Sequence, residues 1–99
     1  MAYKIIVTKA AEQDFEKVIS YLRKEWPESI AQEFTANLIS KIELLSFLPL
    51  LGIKSEKDSS IRRIVISKQN TLYYRLKAKR IVLLNLFDNR KNPKSNPYQ

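Results

Sequence analysis

The sequence predicts an α+β protein, in which an N-terminal strand and an antiparallel helix hairpin precede a small antiparallel sheet and the hairpin packs on one face of that sheet. Between residues 61 and 90, three short runs rich in Ile, Val, Leu and Tyr alternate with the polar connectors SKQN and KAKR, which is typical of a three-stranded meander. Two longer segments upstream repeat apolar residues at helical spacing, which is typical of amphipathic helices. The short, β-branched stretch YKIIVT at residues 3–8 is expected to add a strand to the same sheet.

The composition favours one small domain spanning residues 1–99. The chain has 99 residues, of which 44% are hydrophobic, enough for a single core. Cysteine and histidine are both absent, which excludes disulfides, thiolate metal sites and histidine-based acid–base catalysis. No tight group of carboxylates, no signal peptide and no apolar run near the roughly 20 residues that span a bilayer is evident. We therefore expect a cytoplasmic protein without a metal, cofactor, membrane partner or small-molecule substrate.

Both predicted helices carry start and stop signals. Thr8 is suited to cap the first helix, and Trp26-Pro27 should end it, because the residue before a proline resists helical geometry. Pro27 is well placed as the first residue of the second helix, which should run to about Phe47 and stop before Pro49. The apolar stripes that would face the sheet are Ala11, Phe15, Val18, Ile19 and Leu22, then Ile30, Ala31, Phe34, Leu38, Ile42 and Leu45.

The segment at residues 49–60 is expected to be a loop, and it holds the only glycine of the chain, Gly52. In its apolar first half, Leu50, Leu51 and Ile53 should fold back on the core. Alternatively, Leu50 and Leu51 are exposed and contact a partner protein. The second half is polar and should be exposed.

Alternation along the meander separates the two faces of the predicted sheet. The face that the helix hairpin should cover carries Leu72, Tyr74 and Leu76. The opposite, open face would carry Tyr73, Arg75 and Lys77. The neighbouring Arg62 and Arg63 fall on different faces of the first run. The last run is apolar on both faces, so it should be central or covered.

The net charge of +8 is segregated along the chain. Residues 1–60 contain eight Lys or Arg and nine Asp or Glu, whereas residues 61–99 contain ten Lys or Arg and only Asp88 opposing them. The sheet and the basic tail at residues 88–99 therefore carry the whole excess. A field of this kind attracts polyanions or an acidic protein, and we expect a cationic surface on the open face of the sheet. The alternative is a solvated surface that serves solubility.

The order of elements and a few short motifs resemble the RelE/ParE toxins of bacterial type II toxin–antitoxin systems. A strand and a helix hairpin are followed by P-x-x-G at residues 49–52, then IRR, LYYR and a strand ending in FDNR. The resemblance covers nearly the whole chain, and the tail FDNRKNP is closer to ParE-like members. It implies a growth-inhibiting toxin that a small cognate antitoxin neutralises. ParE-like members inhibit DNA gyrase, whereas RelE-like members cleave messenger RNA within the ribosome.

The resemblance also implies which residues would act. In the nuclease reaction the RNA 2′-hydroxyl attacks the adjacent phosphate, and the candidates for that chemistry are Arg62, Arg75, Arg90 and Tyr98. Thr71 stands where nuclease members have an arginine, which favours the gyrase-binding activity. The candidates for binding the antitoxin or the target are Arg62, Arg63, Tyr73, Arg75, Lys77, Arg90, Lys91 and Lys94. A third hypothesis is a general nucleic-acid-binding module, in which Tyr73 stacks on bases.

Overall fold

The computed structural model describes residues 2–90. Its elements, in chain order, are β1 (Lys4–Val7), α1 (Lys9–Glu25), α2 (Glu28–Phe47), β2 (Ile53–Lys54), β3 (Ile61–Ser67), β4 (Asn70–Lys77) and β5 (Arg80–Asp88). The strands form one five-stranded sheet in the order β1-β5-β4-β3-β2. The two helices pack on one face of this sheet, which confirms the predicted α+β architecture. Within residues 2–90, no helix combines the length and the apolar character needed to cross a membrane.

The helix boundaries follow from local residues. The Thr8 hydroxyl accepts a hydrogen bond from the Ala11 N–H (3.1 Å) and donates one to the Leu83 carbonyl (2.7 Å), so the cap also ties the start of α1 to β5. Trp26 is extended and ends α1, as expected for a residue before proline. Pro27 is the N-cap of α2 rather than its first helical residue, one position from the prediction, because its ψ of 150° is still extended.

The sheet is mixed rather than purely antiparallel, which corrects the prediction. Strands β3, β4 and β5 form the expected antiparallel meander, but β1 pairs with β5 in parallel, with Lys4 opposite Arg80. The two helices and three strands lie between β1 and β5 in the chain, so no tight turn dictates their relative direction. Strand β5 therefore has a neighbour on each side. The predicted loop also contains the two-residue edge strand β2, which pairs with β3.

A bulge in β5 lets two leucines face the helices. Tyr73 lies opposite Asn85, but Tyr74 lies opposite Leu83, so Leu84 is an extra residue on β5. In a regular strand, residues three positions apart point to opposite faces. Because of the bulge, Leu83 and Leu86 both enter the core.

The core lies between the helix hairpin and the predicted sheet face. Leu72, Tyr74 and Leu76 contact this core, as the alternation of β4 predicts. Its buried members are Ala11, Phe34, Leu38, Leu45, Ile66, Leu72, Tyr74, Ile81, Leu83 and Leu86. Within residues 2–90, both helices lie on this side, and we refer to the opposite face of the sheet as the open face.

Candidate functional site

Arg62 holds the loop that follows α2. It lies opposite Tyr74 on the helix-covered face of the sheet. Its guanidinium donates to the carbonyls of Gly52 (2.7 Å) and Leu50 (3.3 Å). The resemblance assigned Arg62 to catalysis or binding, but in the structure its Nη1 is committed to loop carbonyls on the same molecule. This use of the side chain was not visible in the sequence, because the partners lie ten and twelve residues away.

Tyr74 holds the same loop from beneath. Its hydroxyl donates to the Pro49 carbonyl (2.9 Å) and accepts from the Gly52 N–H (2.8 Å). Burial raises the pKa of the Tyr74 hydroxyl above its ordinary value, and the Gly52 N–H and the Arg62 charge oppose that rise only in part. A Cβ at Gly52 would lie 2.5 Å from this hydroxyl and 2.7 Å from the Arg63 carbonyl oxygen. The close approach explains why a glycine occupies this position.

Arg75 lies on the open face at the end of β4 nearest Ser60. Its guanidinium contacts the Asp58 carboxylate at 3.4 Å and the Ser60 hydroxyl at 3.3 Å. The Asp58 carboxylate also accepts hydrogen bonds from the Ser60 hydroxyl and N–H. These two bonds from Ser60, followed by the charge of Arg75, lower the pKa of Asp58. Arg75 is thus half-buried and ion-paired within the chain.

Arg90 lies on the helix side of the sheet, beside α1. Its guanidinium forms a fork with the Asp88 carboxylate, with distances of 3.0 Å from Nε and 2.8 Å from Nη2. The same group lies 6.0 Å from the centre of the Tyr21 ring. Hydrogen bonding and charge from Asp88 raise the pKa of Arg90. Together with Asp14 and Lys17, these side chains line an open cleft of about 230 Å³ between α1 and the ends of β4 and β5.

The three described arginines with a predicted catalytic role do not converge. Arg62 and Arg75 are on opposite faces of the sheet. Arg90 adjoins Asn70 at the other end of β4, five residues from Arg75, which corresponds to about 17 Å along a strand. Of the candidate basic residues within 2–90, Arg63, Arg75 and Lys77 lie on the open face, where alternation along the strands places them, whereas Arg62 and Arg90 lie on the helix side. The open face therefore carries part of the excess positive charge, and the candidate residues are divided between the two faces of the sheet.

Tyr73 differs from its expected role, and Thr71 forms a contact within the sheet. Tyr73 is only 2% exposed, so the expectation that its ring is available to stack on bases is wrong. It lies on the central strand between Arg63 and Asn85, with neighbours on both sides. Thr71 is buried, and its hydroxyl donates to the Asn89 side chain (2.8 Å), joining the start of β4 to the residue after β5. The candidates Lys91, Lys94 and Tyr98 lie outside the described residues.

The apolar part of the loop is exposed, which corrects the expectation that it folds back on the core. Leu50, Leu51 and Ile53 are between 45% and 65% exposed. Because Arg62 and Tyr74 hold the backbone of this segment, the leucine and isoleucine side chains remain at the surface. The alternative role in a partner interface, considered for Leu50 and Leu51, agrees with this arrangement.

Several solved structures share the fold. The chain is similar to a structure described as the chromosomal ParDE toxin–antitoxin system from P. aeruginosa, with a TM-score of 0.73 and 13% identity over 88% of this chain and 96% of that one. It is similar to the toxin–antitoxin complex RelBE2 from Mycobacterium tuberculosis, with a TM-score of 0.60 and 18% identity over 89% and 99%. It is also similar to a YoeB/ParE toxin from Agrobacterium tumefaciens, with a TM-score of 0.62 and 13% identity over 86% and 97%. At these identities the likeness concerns the fold alone.

Comparison of the sequence gives the family. No curated protein sequence matches the chain. The family model described as the ParE toxin of the type II toxin–antitoxin system, parDE, matches residues 5–93, which is most of the sequence. The chain therefore belongs to the ParE toxin family of type II toxin–antitoxin systems.

Proposed function

We propose that this toxin arrests growth by binding DNA gyrase, and that a small cognate antitoxin keeps it inactive. The observation that carries the first part is the match of residues 5–93 to the ParE family model, since ParE-like members inhibit gyrase. The dispersal of Arg62, Arg75 and Arg90 over both faces and both ends of the sheet argues against the nuclease alternative. If DNA gyrase is the target, the toxin acts in the cytoplasm. The alternative, cleavage of messenger RNA in the ribosome, needs a different arrangement of these groups.

Transfer of an RNA phosphate to its 2′-hydroxyl requires a proton acceptor, a proton donor and a cation around one phosphorus atom. Hydrogen-bond reach is about 3 Å, whereas the Arg75 and Arg90 positions are about 17 Å apart along the sheet. Arg75 and Arg90 also each form an ion pair within the chain, with Asp58 and Asp88. Thr71, at the position of the nuclease arginine, is buried and engaged with Asn89. The described residues thus support a binding function more than nuclease chemistry.

An antitoxin partner agrees with the charge of the chain and with its relatives. The ParDE and RelBE2 proteins that share the fold are toxin–antitoxin systems. The net charge of +8 favours a partner segment rich in acidic residues. A disordered acidic segment that folds on contact can wrap a small domain and be removed again when the antitoxin is degraded.

Two assays on the purified toxin test this proposal. In a gyrase supercoiling assay, we expect the wild-type chain to block supercoiling of relaxed plasmid. In a translating extract supplied with a labelled message, we expect no toxin-dependent cleavage. The double variant Arg75→Ala, Arg90→Ala serves as a nuclease control. Cleavage by the wild-type chain that this variant loses would establish the RNase activity and overturn gyrase binding. If the chain only binds nucleic acid, with an affinity that falls steeply as salt rises, the module hypothesis is correct instead.

A further inference from the structure

The end of α2 and the segment after it form an exposed apolar surface. It consists of Phe47, Leu48, Leu50, Leu51 and Ile53, and we refer to it as the α2–β2 apolar surface. These side chains are 45–70% exposed, although they lie within seven consecutive residues. Their exposed area is on the order of 500 Å², comparable with the largest apolar patch of a typical monomer and over half of one partner's share of a standard interface.

The backbone beneath this surface is already ordered. Tyr74 bonds both the Pro49 carbonyl and the Gly52 N–H, and Arg62 donates to the carbonyls of Leu50 and Gly52. The Leu51 N–H donates to the Leu48 carbonyl (3.1 Å) in a further turn. A ligand that binds here does not have to order the loop, which lowers the entropic cost of association. The half-buried Arg62 and the fully buried Tyr74 thus fix the backbone of a segment whose apolar side chains remain at the surface.

The surface also continues onto an edge of the sheet that has no further strand within residues 2–90. Strand β2 is last in the strand order. The Ser55 N–H donates to the Ile61 carbonyl, so by alternation the backbone groups of Lys54 point away from β3. Ile53 lies opposite Arg63 and so projects on the open face, while Phe47 lies at the end of the helix layer. The surface therefore wraps around the edge, which suits an extended or irregular segment better than a flat partner.

We propose that the α2–β2 apolar surface is the docking site of an amphipathic segment of the antitoxin, with apolar side chains against the surface and acidic side chains beside them. This inference rests on the proposed function, which supplies the partner. A second copy of the chain fits less well, because each copy carries a net charge of +8. The residues after Arg90, KNPKSNPYQ, contain one large apolar residue and are basic, so they do not have the chemistry of this occupant.

A pair of double variants tests the site. The test variant is Phe47→Ser, Leu50→Ser, and the control is Trp26→Ser, Ile39→Ser, which removes comparably exposed side chains elsewhere on the helix hairpin. The probe is the purified cognate antitoxin. Binding is measured by calorimetry, growth inhibition by induction with and without the probe, and folding by thermal unfolding. Sedimentation of each toxin variant alone reports its oligomeric state.

We expect the test variant to bind the probe about tenfold or more weakly, because central aromatic and aliphatic anchors dominate such interfaces. The test variant should remain folded and toxic, but the probe should no longer neutralise it. The affinity of the control variant for the probe should stay within about threefold of the wild-type affinity. Equal binding by both variants overturns the docking site and leaves the toxin function standing. If the folded test variant is no longer toxic, the surface binds the cellular target instead of the antitoxin. If the wild-type chain is a dimer and the test variant is a monomer, the surface binds a second copy of the chain. Either result overturns the proposal. A wild-type chain that neither inhibits growth nor binds the probe overturns the proposed function as well.

Discussion

Replacing Tyr74 by phenylalanine removes one oxygen atom from the loop anchor and changes little else. The Tyr74 hydroxyl bonds the Pro49 carbonyl at 2.9 Å and the Gly52 N–H at 2.8 Å, and the residue is fully buried. Phenylalanine fits the same space and keeps the ring contacts of the core. The variant therefore isolates the two hydrogen bonds that hold the α2–β2 segment.

The size of the stability loss follows from the two hydrogen bonds that Tyr74→Phe removes and from the backbone groups that it leaves without a partner. Each net hydrogen bond contributes about 1 kcal/mol, and a buried N–H left without a partner adds a desolvation cost, so we expect Tyr74→Phe to lower the free energy of unfolding by about 2–3 kcal/mol. For a domain of this size that corresponds to a melting temperature lower by roughly 10–20 °C. A loss of this size is a large fraction of the stability of a small domain.

Chemical denaturation followed by circular dichroism measures this change directly. Tyr3→Phe is the matched control, because no hydrogen bond from the Tyr3 hydroxyl occurs among residues 2–90, and it should shift stability by less than about 0.5 kcal/mol. A Tyr74→Phe variant within about 0.5 kcal/mol of wild type would show that the loop is not anchored through this hydroxyl. The backbone beneath the α2–β2 apolar surface would then not be held in place by Tyr74.

Three other substitutions test further contacts. Gly52→Ala places a methyl group 2.5 Å from the Tyr74 hydroxyl and should destabilise the fold by about 1–3 kcal/mol in the same denaturation assay; a stability equal to wild type would contradict the close approach. Thr8→Ala removes the helix cap and a bond to β5, so about 1–2 kcal/mol should be lost, whereas Ser20→Ala on the exposed side of α1 should be nearly neutral. Because the folded-state pKa of Asp58 is lowered, its contribution to stability is present above its unfolded pKa near 3.8 and is lost as the pH falls through the folded value. Denaturation midpoints from pH 6 to pH 2 should therefore fall less steeply for Asp58→Asn than for wild type, and parallel curves would refute the shift.

Features that depend on neighbouring residues were predictable from the sequence. The Thr8 cap, the Trp26-Pro27 break and the end of α2 at Phe47 come from local backbone preferences and hydrogen bonds. Alternation along β4 identified the face that the helices cover. The direction of β1, the bulge at Leu84 and the extra strand β2 were not predictable, because pairing between distant strands leaves no local signal.

In the candidate site, too, local features were predictable from the sequence and contacts between distant residues were not. The sequence by itself determined that the chain is basic, that it folds as a helix hairpin on a meander, and that it resembles the RelE/ParE toxins. Only the tertiary structure decided that Arg62 holds a loop, that Arg75 and Arg90 pair with aspartates, and that the apolar loop stays exposed. The physical reason is that a side chain's role depends on which groups the fold brings within about 3 Å of it, and for Arg62, Arg75 and the Tyr74 anchor those groups lie 10 to 25 residues away.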